Sequence, residues 1–207
     1  MKSDVARLVD IAIRSQWVPV LRDDGFRPSG RNFRRIRGDL IHVVNIQGSR
    51  HGGQFAVNMG VHLAFLPDVL GAAVDAQRLT EPQCEFRRRM AASGVDQWWT
   101  YGSDEGDVDA AVEDALGVYR VHGREQLDAL DAYPESFANV TPSSLATGAA
   151  DLGGFRSTLV RMCLAFARIR SHEGAVQSAR EFADLGLAQL GQASALRVAL
   201  ERVRNAP

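Results

Sequence analysis

Lysine is nearly missing from this chain: Lys2 is the only one among 24 basic residues, so arginine carries almost all the positive charge. Arginine forks suit oxyanions. The 25 acidic residues balance them, however, and leave a net charge of −1. That balance supplies no overall attraction to nucleic acid or to an anionic membrane. The arginine bias reads as the codon usage of a GC-rich genome, which also inflates Ala, Gly, Val and Asp. Cysteine is almost as scarce. Cys84 and Cys163 are far apart and in no metal-ligand spacing. This excludes a disulfide framework or a zinc site and fits a reducing compartment. No apolar run approaches the roughly 18 residues of a membrane span. Residues 1–10 are charged and lack the apolar stretch of a signal peptide. The expected setting is cytoplasmic, with no membrane partner.

Familiar chemical motifs are also absent. No HExxH occurs, and no two histidines share a metal-binding helical spacing. No phosphate-binding loop or dinucleotide glycine pattern is present. Gly48-Ser49-Arg50-His51-Gly52 holds a serine between glycines, but not in the order of a nucleophile elbow, and no helix follows. No cofactor and no metal are expected.

What remains is ordinary globular composition over 207 residues, 45% hydrophobic and 24% charged. That is enough chain for a substantial core. The pattern predicts an α+β fold: an antiparallel sheet centred on a β-hairpin, packed by helices, with a C-terminal helical extension. Residues 1–140 are expected to form the α+β domain and residues 141–207 the extension packed on it.

A helix is expected from Ser3 to Gln16, with a break or kink at Val18 imposed by Pro19. Residues 32–36 read as a short strand, and Gly38-Asp39 as a turn. Leu40 to Gln47 is β-rich. Gln54 to Leu63 alternates cleanly, with Phe55, Val57, Met59, Val61 and Leu63 on one side. Helices are expected over 68–79, from a cap at Asp107 to about Val121, and over 124–132. Thr80-Glu81-Pro82 reads as a turn leading into 83–90, and Gln97 to Tyr101 as a further strand. After the cap signal at Thr141, helices are expected over 155–170, 173–189 and 194–203.

The hairpin gathers the candidate site. Residues directly opposite in a ladder share a face. A two-residue turn sets Gln47 opposite Asn58 and Val43 opposite His62; a four-residue loop sets Asn45 opposite Asn58. Both registers collect Asn45, Gln47, Asn58 and His62 on one face, with Ile41 and Val43 beside them. A one-residue slip would turn the apolar set outward. Amides offer donors and acceptors without charge, so such a floor suits a peptide edge, a sugar or a base. Arg34 or Arg35 can add an anion-binding fork. The bland alternative is a solvated sheet face, or a polar network under a covering element.

Other residues carry weaker signals. His51 lies in a Gly-rich turn and reads as solvated; His42 reads as a packed histidine. Cys84, followed by Arg87, Arg88 and Arg89, has cations that can activate a thiolate, but cysteine is usually buried. Residues 22–37 carry six Arg against two Asp, and residues 96–114 carry seven acids and no base. Of Trp98 and Trp99, alternation predicts one ring in the core and one partly exposed.

The run Gly25-Phe26, Gly30, Phe33-Arg34, Asn45-x-Gln47-x-Ser49 and Phe55-x-Val57-Asn58-Met59-Gly60-Val61 resembles the bacterial domain-of-unknown-function family 4304. Cys84 and its following arginines resemble the next block of that family. The likeness covers roughly residues 5–135. It implies no activity and no catalytic residues. Immunity proteins of toxin systems offer a fold-level analogy only.

These features point to a non-enzymatic module that recognises a protein partner. The alternatives are single-stranded nucleic-acid binding through residues 22–37, the hairpin amides and Trp98 or Trp99, and a hydrolase or transferase using His62 with Asn58 and Gln47. The oligomeric state is not legible in the sequence.

Overall fold

A computed structural model describes residues 2–68, 71–93, 96–191 and 194–207. Helix α1 (Lys2–Ala12) runs through a π turn (Ile13–Trp17) into α2 (Val18–Asp23). The expected break at Val18 does not occur. Val18 is helical, with φ −57° and ψ −45°, and its N–H bonds the Ile13 carbonyl. Pro19 comes next, so its missing N–H falls where the helix passes from the i−5 bonding of Val18 back to the α pattern. Val9, Ala12, Ile13, Trp17 and Leu21 are all buried along this helix. The Trp17 indole N–H donates to the Val112 carbonyl at 3.1 Å, which fixes the helix against the rest of the core.

Six antiparallel strands follow. β1 (Arg27–Ser29), β2 (Asn32–Arg37), β3 (Leu40–Gly48), β4 (Gln54–Leu63) and β5 (Phe86–Arg89) lie side by side in that order, and β6 (Trp99–Thr100) also pairs with β4. In the β3–β4 hairpin, Ser49 N–H bonds the Gln54 carbonyl at 2.9 Å, which leaves residues 50–53 as a four-residue loop. Gly52 and Gly53 supply its positive φ angles of 76° and 69°. The register therefore sets Asn45 opposite Asn58 and Ile41 opposite His62.

One sheet face carries Phe33, Val44, Ile46, Phe55, Val57, Met59, Val61 and Phe86 into the main core. Helix α3 (Glu105–Val118) covers part of that face and continues through a π turn (Tyr119–Gly123) into α4 (Arg124–Asp128). Its cap is Asp104, whose side chain accepts the Asp107 N–H; Asp107 itself lies inside the first turn. The expected helix over 124–132 is accordingly short. Two further short helices are α5 (Glu135–Ala138) and α6 (Pro142–Thr147), the latter with a capping box between Thr141 and Ser144.

The C-terminal helices are α7 (Leu159–His172), α8 (Val176–Ala188) and α9 (Arg197–Arg204). They share the sheet's core. Phe86 of β5 meets Phe137 and Phe166 at 5.2 and 5.8 Å between ring centroids, and Phe166 meets Phe182 of α8 at 5.3 Å. From α7, Arg170 donates to the carbonyls of Phe137, Ala138 and Val140 at 2.7, 3.0 and 3.2 Å. That guanidinium satisfies the carbonyls left open where α5 ends.

The helix expected over 68–79 is not formed among its described residues; 69 and 70 lie outside them. Asp68 accepts the Ala72 N–H at 2.9 Å, and Gly71 has φ 91°. These local bonds compete with helix formation. The chain instead returns across the second sheet face, where Leu79 and Cys84 pack on Ile41 and Val43. Residues 83–90 then supply the last turn of a capped 3-10 segment (Glu81–Gln83) and β5. Among the described residues, no helix is long and apolar enough to cross a membrane.

Candidate functional site

The second sheet face is built by strict alternation. Pairing of Asn32 with Asn45, Asn45 with Asn58, and Asn58 with Arg89 sets one row of polar residues across β2, β3, β4 and β5. Side chains of such rows point the same way. Asn45 Nδ2 donates to Asn32 Oδ1 at 2.9 Å. Asn58 Nδ2 donates to Gln47 Oε1 at 2.8 Å and, more weakly, to Asn45 Oδ1 at 3.5 Å. Asn58 Oδ1 accepts from Arg89 Nε at 3.1 Å. Every amide thus fixes the orientation of the next.

The ladder ends in a charged and aromatic group. Arg89 Nη1 donates to Asp96 at 3.2 Å, and its guanidinium lies over the Trp98 ring, 4.8 Å from the centroid. Trp98 is 36% exposed, whereas Trp99 is buried and donates its indole N–H to Asp114 at 2.8 Å. Asn58 is buried beneath the row, Asn32 and Asn45 are half-buried, and Gln47 is exposed. The result is a pre-ordered patch in which Gln47 and Trp98 are exposed and Asn32 and Asn45 are partly so.

Not every candidate joins it. Arg34 falls on this face, opposite Val43, but its guanidinium is spent on the carbonyls of Leu79 and Arg78. It anchors the covering segment to the sheet. Arg35 falls on the other face. It lies over the Phe26 ring at 4.9 Å and pairs with Asp131 at 3.4 Å. His62 shares the amide face but lies four residues along β4 from Asn58, about 13 Å away at the rise of a strand. It is fully buried, with Nε2 3.0 Å from the Leu66 carbonyl. Burial lowers its pKa and keeps the ring neutral.

The remaining titratable candidates are likewise enclosed. His42 is buried with Nε2 3.2 Å from the Leu130 carbonyl. Burial, with nearby Glu81, pushes the Cys84 thiol far above its ordinary range, so it stays protonated. Arg87 does not activate it, because it is held bidentately by Glu81 at 2.7 and 3.2 Å. Gly60 leaves room for this arrangement: a Cβ there would stand 2.7 Å from Cys84 Sγ. Among the described residues, no group of three or more His, Cys, Asp or Glu could hold a metal ion.

Sequence patterning misses two members of the row. Asn32 was within reach, since it stands two residues before Arg34 on one strand. Arg89 was not, because Phe86-Arg87-Arg88-Arg89 carries no strand signature, and only pairing with β4 makes it one.

No curated protein and no solved structure matches the chain. The amide row from Asn32 to Arg89, its covering segment and Trp98 all lie within residues 17–126, just over half of the chain, and that stretch matches the family described as Domain of unknown function (DUF4304), to which the chain belongs.

Proposed function

We infer that this chain is a non-enzymatic, cytoplasmic module that recognises a protein partner through the amide row and the Arg89–Trp98 pair. In this reading residues 1–140 form the recognition domain, and residues 141–207 form a helical extension that braces it. The observation that carries the reading is the open, pre-ordered ladder from Asn32 to Arg89, ending on a half-exposed tryptophan. Tryptophan and arginine dominate the binding energy of protein interfaces. Amides already fixed by one another lose little entropy on binding, so they favour a directional polar contact. The enclosure of His62, His42 and Cys84 supports recognition over catalysis, because acid–base or nucleophilic work needs a group that reaches substrate.

Affinity capture with the purified full chain tests this. Wild-type protein is expected to retain a discrete protein partner that Trp98→Ala loses, with both proteins showing the same circular dichroism. Equal capture by Trp98→Ala, or robust substrate turnover by the purified chain, overturns the reading.

A further inference from the structure

On the opposite side of the sheet from the amide row, two clefts of about 470 and 430 Å³ adjoin at Arg31. The first is lined by Val5 and Ala6 of α1, the β3–β4 loop from Gly48 to Gly53, and Tyr101 to Ser103. The second is lined by Asp10, Ile13, Arg14, Val18 and Arg22, facing Pro28 and Gly30. Positions 5, 6, 10, 13, 14, 18 and 22 recur at three- and four-residue steps, so one helical stripe walls both clefts. At 1.5 Å per residue that stripe runs about 25 Å, the length of roughly eight extended residues.

The groove's charge is one-sided. Arg14, Arg22, Arg31 and Arg50 line it against Asp10 alone, four guanidinium groups to one carboxylate and a formal excess of three. Arg31 reaches from the β1–β2 turn to α1 where the clefts meet, donating to Asp10 at 2.7 Å and to the Ala6 carbonyl at 3.4 Å, so a segment spanning both clefts passes over this strut. Arg14 and Arg22 are exposed and make no ion pair among the described residues. Between the arginines, Val5, Ile13, Val18 and Pro28 give an aliphatic floor. On the facing wall, Gly30, Gly52 and Gly53 present backbone without side chains, which permits a second chain to approach closely, while the Arg31 guanidinium lies against Gly48.

We propose that this groove binds an extended acidic segment of a protein partner in which carboxylates alternate with aliphatic side chains. Arginine forks take carboxylates bidentately, and the aliphatic floor takes the alternate positions. A nucleic-acid strand fits less well. Its bases need a row of stacking rings, and among the described residues the rings that line the groove, His51 and Tyr101, sit together at one end. The site is separate from the amide row, so it stands or falls independently of the recognition reading above.

The test is fluorescence anisotropy of the full chain with a labelled eight-residue peptide alternating glutamate and leucine, run beside an eight-nucleotide single strand at the same ionic strength. Saturable peptide binding is expected. It should weaken at least tenfold in the Arg14→Glu, Arg22→Glu double variant and at least threefold in Arg14→Gln, Arg22→Gln, while Trp98→Ala leaves it unchanged. Because neither arginine makes an ion pair among the described residues, both double variants should keep the wild-type melting temperature. Equal or tighter binding of the oligonucleotide overturns the proposal, as does peptide binding that survives charge reversal. Salt-sensitive self-association in sedimentation, abolished by the same variants, also overturns it and makes a second copy the occupant.

Discussion

Arg89 is held by Asn58 and by Trp98 at once: its Nε donates to the Asn58 carboxamide at 3.1 Å while its guanidinium plane covers the indole at 4.8 Å. A partly exposed cation–π contact of this kind contributes about 0.5–1 kcal/mol. Trp98→Ala loses that contact and the apolar burial of a ring only 36% exposed, so it should cost about 1–3 kcal/mol in urea unfolding, yet abolish partner capture. A larger stability loss would make Trp98 a structural residue rather than a contact residue.

Asn58 is the hub of the row. It donates to Gln47 and accepts from Arg89 while buried beneath both. Asn58→Ala strips both bonds and should destabilise by about 1–3 kcal/mol. Gln47→Ala, at the exposed end, should fall within about 1 kcal/mol. Chemical denaturation of the two variants separates the hub from the rim.

Gly60 exists where it does because of Cys84. A Cβ at residue 60 would meet Cys84 Sγ at 2.7 Å and its Cβ at 2.8 Å. Gly60→Ala should cost about 1–3 kcal/mol through overpacking. In a double-mutant cycle with Cys84→Gly the two losses should not add, since removing the thiol side chain removes the atoms that the new methyl meets, and the methyl fills part of the space left behind. Simple additivity would mean that the covering segment moves away freely.

Arg170 ties the C-terminal helices to the chain segment after α4 through three carbonyls, and a 2.6 Å pair with Glu173, at the end of its own helix, holds the guanidinium in place. Arg170→Met keeps length and apolar bulk but leaves buried carbonyls without donors. A loss of about 2–4 kcal/mol is expected in thermal or urea unfolding.

Stability should fall with acid in a window set by histidine. Burial, then the neighbouring Arg35, pulls the His42 pKa down to about 4. The unfolded ring titrates near 6.5. Between those values the unfolded chain binds the proton and the folded chain does not. The stabilisation is thus whole above about pH 6.5 and lost as pH falls toward 4, by about 3 kcal/mol. His62, also lowered by burial, acts in the same direction. Urea titrations of wild type and His42→Gln across pH 7 to 4 check this; the variant should show the shallower decline.

The hairpin and its two faces were legible because β4 alternates over ten residues and only one register family keeps Phe55, Val57 and Met59 inside. The choice between Arg34 and Arg35 was not, since it depends on how β2 pairs with β3; alternation then places Arg34 with the amides and Arg35 with Asp131. The segment over 68–79 misled for a different reason. Its alanines and leucines carry helical propensity, but the Asp68 side chain accepting the Ala72 N–H and the positive φ of Gly71 override it. Pro19 likewise signals a break that the π turn before it absorbs. The amide row could be seen as a cluster, but its completion by Arg89 and Trp98 is a product of β4 pairing with β5 and of the return of the chain at Asp96.

Site-specific photocrosslinking tests the recognition surface most directly. A photoreactive side chain placed at Gln47, in cells expressing the protein, should yield a discrete protein adduct that vanishes when Trp98→Ala is added. The same group at Val121, which is 65% exposed and remote from the amide row in sequence, should yield none. An adduct that persists in Trp98→Ala, or that forms equally from Val121, contradicts the account.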